Sequence, residues 1–354
     1  MRARSRRTLG SPMRPERRTV NFRPSTRLIL LGLLIASLAV LAAGCGRDDT
    51  SNASAGSNTD TGSETTEQLS GKVEADGSST VGPLTTRAAE LYREQQPNVN
   101  VTVGTSGTGG GFERFCAGET DLSDASRPIK EDPADKEASV CKEAGIEYTE
   151  FKVAIDALTV VVNSQNDWAT CLTLDQLKKI WEPGSKVNNW NQVDPSFPDE
   201  KLELAGPGTD SGTFDYFTDE INGEEGASRS DYTASEDDNV IVQAVAGQKG
   251  GLGYFGYTYF EENQDKLKAL EVDGGDGCVA PSADTAKDGT YVPLSRPLFV
   301  YAKNEALKRP EVQGFLRYYF DNITQIADEA QFIPLPDEES QELADDLETA
   351  IGAA

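Results

Sequence analysis

Residues 201–221 read "KLELAGPGTDSGTFDYFTDEI". Leu202 and Leu204 alternate as on a short strand, "GPGTDSGT" supplies a loop of glycines and hydroxyls, and Phe214, Phe217 and Ile221 recur at helical spacing. The same plan occurs twice upstream. "KVEADGSSTVGPLTTRAAELYREQQ" (72–96) puts Val73 and Ala75 in the strand and Leu84, Ala88, Leu91 and Tyr92 on the helix. "NVNVTVGTSGTGGGFERFCAG" (98–118) alternates Val99, Val101 and Val103 and then brings Phe112 and Phe115. Three units of strand, hydroxyl-glycine loop and helix predict an α/β fold.

Each of these loops opens a helix. The first turn of a helix leaves backbone N–H groups without partners, and the aligned peptide dipoles sum to a partial positive charge there, so an oxyanion can be held without a formal cation. Glycine lets the backbone come close, and Ser and Thr hydroxyls add donors of adjustable direction. Taken singly, each loop reads as a helix cap or turn. Three of one build predict a shared oxyanion site. The device suits this chain, whose 354 residues hold 33 basic and 59 acidic side chains and no histidine, for a net charge of -26. Distant surface carboxylates are screened from a buried anion. The same charge argues against nucleic acid or an anionic lipid surface as a partner, because both need a basic footprint.

The N-terminal region is of a different kind. Residues 1–27 hold nine arginines against Glu16, and "LILLGLLIASLAVLAA" (28–43) follows without a charge before Gly44 and Cys45. Basic region, short apolar core and small residues together predict a secretory signal over 1–44 rather than a spanning helix, which needs about 20 apolar residues. Met13 is an alternative start, and "SRRTL" (5–9) lies far from the apolar core for a twin-arginine signal. Without residues 1–44 the chain keeps 24 basic and 58 acidic residues, a net charge of -34. "GRDDTSNASAGSNTDTGSETTEQLSG" (46–71) has Leu69 as its one large aliphatic residue and reads as a disordered tether spanning roughly 28 Å. The remaining residues are enough for two domains. Apart from Cys45, four cysteines remain, Cys116, Cys141, Cys171 and Cys278, an even number that suits an oxidising compartment. Three pairings can be drawn, and wide spacing without histidine argues against a metal site.

"DGSSTVGPL" (76–84), "GTSGTGGGF" (104–112), "DLSDASRPI" (121–129) and "GPGTDSGTFDYF" (206–217), in that order, resemble the phosphate-binding lipoproteins of the high-affinity phosphate ABC importer. The likeness continues through "LTLDQLKKIWEPGSKVNNWNQV" (172–193), "GGLGYFGYTYF" (250–260) and "PLSRPLFVY" (293–301). "AAGC" likewise resembles the lipobox in which the cysteine, here Cys45, is lipidated, although Ala42 stands where Leu is commonest. The resemblance implies a two-lobed periplasmic-binding-protein fold of type II, with two strand crossings forming a hinge, expected in 151–163 and 291–301. Lobe one would be 72–156 plus 292–354, and lobe two 157–291. Residues 45–71 would be the lipidated cysteine and tether, holding the protein at the outer face of the cell membrane. The expected partners are inorganic phosphate and the permease subunits of the importer. No cofactor or metal is implied, and the protein is expected to be a monomer. Pairing each cysteine within its lobe joins Cys116 to Cys141 and Cys171 to Cys278.

Carried over position by position, the resemblance implies Thr80 and Val81, with Ser79 beside them, in the first loop. Ser106 or Thr108, around Gly107, follows in the second, and Ser211, Gly212 and Thr213 in the last. Two positions depart from the usual pattern. Pro207 stands where an arginine is expected, and Ser126 replaces an aspartate and is followed by Arg127, which would then supply the guanidinium. Phosphate keeps a proton near neutrality and sulfate none, so one acceptor facing the ligand would tell them apart. Asp76, Asp124 and Asp210 are candidates, with Asp210 favoured for its place next to Ser211. Trp181 and Trp190 read as packing residues, 254–260 as a buried strand, and the terminal acidic helix as a solvated cover on lobe one. A sulfate receptor is the alternative within the binding class. A phosphate-ester hydrolase is disfavoured because no histidine triad, histidine-bound zinc, P-loop lysine or G-x-S-x-G elbow is present.

Overall fold

The computed structural model describes residues 68–131 and 136–354. The expected signal sequence, Cys45 and most of the tether lie outside the described residues. The chain begins with β1 (Gly71–Gly77), α1 (Gly82–Gln95), β2 (Val99–Gly104), α2 (Gly107–Cys116), β3 (Leu122–Ala125), α3 (Glu137–Glu143) and the long β4 (Tyr148–Asn163). It continues through β5 (Cys171–Thr173), α4 (Leu174–Trp181), α5 (Trp190–Val193), β6 (Glu203–Gly206) and α6 (Gly212–Phe217), which runs into a π-helical turn over Thr218–Asn222. Then come β7 (Thr233–Ala234), α7 (Asp238–Ala246), β8 (Gly251–Gly256), α8 (Tyr257–Glu261), β9 (Leu267–Ala269), β10 (Glu271–Asp273), β11 (Cys278–Val279) and α9 (Ala283–Lys287). The last elements are β12 (Ser295–Lys303), α10 (Pro310–Asp321), α11 (Ile323–Glu329) and α12 (Asp337–Ala353).

The main sheet runs β2-β1-β3-β12-β4-β8-β6-β7, with β9 also on β4, while β11-β10-β5 form a small second sheet. β1 is parallel to β2 and β3, and β6 is parallel to β8. β4 explains the architecture. Its first part pairs antiparallel with β12 from Tyr148 to Ala157, and its remainder pairs with β8 from Leu158 onwards. From Val153 to Asn163 it is buried without alternation, as a strand covered on both faces must be.

The apolar side chains gather on either side of that change of partner. One cluster combines Val73, Leu84, Leu122, Phe151, Val300, Phe315 and Leu347, and another Leu158, Leu177, Trp181, Trp190, Phe217 and Tyr254. Tyr257 and Ala286, which the expected boundary assigns to lobe two, pack with the first cluster. Trp181 and Trp190 are core residues, and of the aromatic run Tyr254 and Phe255 lie in buried β8 while Tyr257 opens α8. α12 lays Leu343 and Leu347 on the first cluster and is tied down by Glu339 to Lys152 at 2.7 Å. Cys116 is bonded to Cys141 and Cys171 to Cys278, the pairing expected above.

Local sequence starts the helices. Thr173 and Gln176 form a capping box on α4, Pro83 fits the first turn of α1, and Ser211 Oγ accepts the Thr213 N–H to cap α6. The loops after β1, β3 and β6 leave the carboxyl ends of parallel strands, where open α/β sheets place their ligands.

Candidate functional site

The loops converge on a cleft of about 390 Å³ lined by Ser78–Thr80, Ser106–Gly110, Ser126–Pro128, Gly212, Arg296 and an acidic wall. In the first loop Ser78 Oγ accepts the N–H groups of Thr80 at 3.1 Å and Val81 at 3.4 Å. Val81 itself is buried in the core beneath the loop. Ser79 and Thr80 face the cleft. A Cβ on Gly212 would collide with Thr80 Oγ1, so the first and last loops touch.

The second loop is set by Asp76, at the end of β1. Its Oδ1 accepts both the Ser106 N–H at 2.9 Å and the Ser106 hydroxyl at 2.7 Å, and its Oδ2 accepts from the Arg114 guanidinium. Burial pushes the Asp76 carboxyl up, but the Ser106 hydrogen bonds and Arg114 outweigh it and hold it below the usual range. Thr108 turns instead to the third loop, where its Oγ1 accepts the Ser126 N–H at 3.2 Å and lies 3.0 Å from Ser126 Oγ. Arg127 lines the cleft, yet its fork is engaged by Glu137 at 2.9 and 2.7 Å, and it stands 5.9 Å above the Phe112 ring.

Asp210 is placed elsewhere than expected. It is exposed, its N–H donates to Glu236 Oε1 at 3.3 Å, and it is absent from the cleft lining. The aspartate of this segment that lines the cleft is Asp215, in α6. With Asp219, Glu220 and Glu225 it forms the acidic wall. Burial, then the Glu225 charge, pushes the Asp215 carboxyl to about 6, against the pull of Arg296. Asp124 is fully buried behind the loops and accepts from Thr85 Oγ1 at 2.8 Å. Ser211 and Thr213 form the cap of α6.

The residue that sequence reasoning passed over is Arg296. It stands opposite Asp156 in the antiparallel β12–β4 register. Its Nε donates to Asp156 Oδ2 at 3.3 Å and an Nη donates to Thr80 Oγ1 at 3.1 Å. Its guanidinium carbon lies 3.6 Å from the centre of the Tyr216 ring. Burial raises the Asp156 carboxyl, and Arg296 opposes the shift. A charged residue inside the apolar run "PLSRPLFVY" was the available signal. The set of dipolar helix starts, hydroxyls and a fixed guanidinium suits a small tetrahedral oxyanion.

Residues 60–322 match the PBP superfamily domain. The chain is 48% identical over 267 residues to Protein SphX of Synechococcus elongatus, a match covering 75% of this chain and 77% of that one. It is 40% identical over 284 residues to the phosphate-binding protein PstS of Staphylococcus saprophyticus, covering 80% and 86% respectively. Among solved structures, a possible phosphate binding protein from Planctomyces limnophilus is 47% identical, with a TM-score of 0.76 over 80% of this chain and 99% of that one.

Proposed function

This chain belongs to the PBP superfamily alongside the PstS phosphate-binding proteins, and from that premise we propose that it captures inorganic phosphate in the cleft and delivers it to an ABC importer. The observation that carries the reading is the convergence of three helix-opening loops and Arg296 on one cleft. In this reading Ser79, Thr80, Ser106, Gly107, Thr108, Ser126 and Gly212, which line the cleft, surround the anion, and Val81, Ser211 and Thr213 hold the first and last loops in place behind them. Arg296 supplies the principal guanidinium, pre-set by Asp156 and Tyr216, and Arg127 borders the site. Asp215, which lines the cleft as Asp210 does not, takes the place first assigned to Asp210 as the candidate carboxylate.

Because β4 exchanges β12 for β8 where the two main core clusters meet, the lobes 72–156 plus 292–354 and 157–291 close on the ligand about β4 and its neighbour β12. The protein acts outside the cytoplasm, held by a lipid on Cys45, and works as a monomeric receptor rather than an enzyme. Both disulfides and the signal-like N-terminus support that placement.

Calorimetric titration of ligand-free protein with phosphate, arsenate, sulfate and molybdate tests the proposal. Phosphate and arsenate binding with sulfate strongly disfavoured is expected. Tighter binding of sulfate, or steady turnover of an aryl phosphate by metal-supplemented protein, would overturn it.

A further inference from the structure

The cleft hydroxyls are not chemically equivalent, and their partners show which can donate. A serine hydroxyl has one hydrogen and two lone pairs, whereas an ionised carboxylate can only accept. Ser106 Oγ lies 2.7 Å from Asp76 Oδ1, and the same oxygen takes the Ser106 N–H at 2.9 Å. The other oxygen of Asp76 is held by Arg114. The hydrogen-bond partners of this carboxylate, the Ser106 N–H and hydroxyl and the Arg114 guanidinium, hold it ionised, so the hydrogen in the short contact belongs to Ser106. What Ser106 can still offer the cleft is lone pairs.

Thr80 is the opposite case. Its Oγ1 accepts from Arg296 at 3.1 Å, and a guanidinium has no lone pair to offer in return. The Thr80 hydrogen therefore remains available to a ligand. Gly110 closes the arrangement from behind Ser106, since a Cβ there would stand 2.9 Å from Ser106 Oγ. Gly104 makes room for Asp76, whose carboxyl oxygen would lie 2.6 Å from a Cβ at that position. The Ser106 hydroxyl is thus confined by a carboxylate on one side and backbone on the other.

Resting on the phosphate-receptor reading, we propose that Ser106, polarised by Asp76, is a specificity-determining acceptor for the proton of a protonated oxyanion. Hydrogen phosphate presents a P–OH to the Ser106 lone pairs. A fully deprotonated oxyanion presents an oxygen with lone pairs of its own, leaving two acceptors in contact and one hydrogen bond unmade. Selection here follows the ligand's proton rather than its total charge.

Monofluorophosphate separates the two, because its dianion carries the charge of hydrogen phosphate with fluorine in place of the hydroxyl. Calorimetry on the wild type, Ser106→Ala and Thr80→Val with phosphate, monofluorophosphate and sulfate is the test. The wild type is expected to prefer phosphate to monofluorophosphate, and Ser106→Ala to narrow that preference by about tenfold, as loss of one charge-assisted hydrogen bond implies. Thr80→Val, which removes a donor, is expected to weaken all three ligands by a similar factor. Equal weakening of all three by Ser106→Ala would overturn the proposal, as would a preference that survives in Ser106→Ala but disappears in Asp215→Asn. Absence of phosphate binding by the wild type would instead overturn the receptor reading itself.

Discussion

The Arg296 guanidinium lies over the Tyr216 ring at the cleft, with its carbon 3.6 Å from the ring centre, although 79 residues intervene between them. The ring holds the guanidinium plane, Asp156 takes its Nε, and Thr80 takes an Nη. A planar fork fixed on three sides is pre-organised for a tetrahedral anion, and lysine cannot reproduce the stack or the paired donors.

Arg296→Lys is therefore expected to weaken phosphate binding by at least about tenfold, the scale of one charge-assisted contact. Arg127→Ala is expected to cost less, because Glu137 already engages that fork. Calorimetry of the two variants ranks them; a larger loss in Arg127→Ala would return the main clamp to the third loop.

Gly212→Ala separates binding from folding. Its Cβ would run into Thr80 Oγ1 and hold the first and last loops apart, while alanine inside the first turn of α6 favours the helix. Thermal unfolding of the ligand-free variant should match or slightly exceed the wild type. Phosphate affinity should fall by about tenfold or more, since a misplaced loop loses several donors together.

Asp124 makes stability depend on pH. Burial raises its carboxyl to about 7 from an ordinary 3.8, with the Thr85 hydrogen bond opposing and the Asp76 charge adding to the shift. A folded-state value above the unfolded one means that the folded protein binds this proton more tightly. Its contribution is complete below the unfolded value and is lost as pH rises through about 7. The full shift corresponds to on the order of 4 kcal/mol. Unfolding midpoints of ligand-free protein should fall as pH rises from about 4 to about 7, and Asp124→Asn, which keeps the acceptor for Thr85, should flatten that dependence. An unchanged slope in the variant would assign the effect to other groups, with Asp215, raised to about 6, the first to examine.

The two disulfides should differ in weight. Cys116–Cys141 spans 25 residues and Cys171–Cys278 spans 107. In the chain-entropy account these loops correspond to about 3.5 and about 5 kcal/mol. Denaturant unfolding of the paired Cys→Ser variants should show the larger loss for Cys171 and Cys278. The reverse order would mean that Cys116–Cys141 acts chiefly by fixing α3, which carries Glu137 beneath Arg127.

The strand, loop and helix units were legible in the sequence because alternation, helical spacing and glycine act over a few residues, and their loops do reach one cleft. The even set of four cysteines was legible for the same reason, as composition needs no geometry. Arg296 and Asp156 were not. Their contact depends on the antiparallel register of β12 on β4, 140 residues away in the chain, and no local pattern encodes that register. Asp210 and Asp215 show the same limit at short range, since being next to Ser211 says nothing of which side chain faces the cleft. Even the polarity of a hydroxyl was decided in three dimensions. Ser106 and Thr80 read alike as letters, but the buried Asp76 carboxylate turns one into an acceptor and the Arg296 guanidinium leaves the other a donor. Hydrogen-bond direction is a property of the partner, and the partner is chosen by the fold.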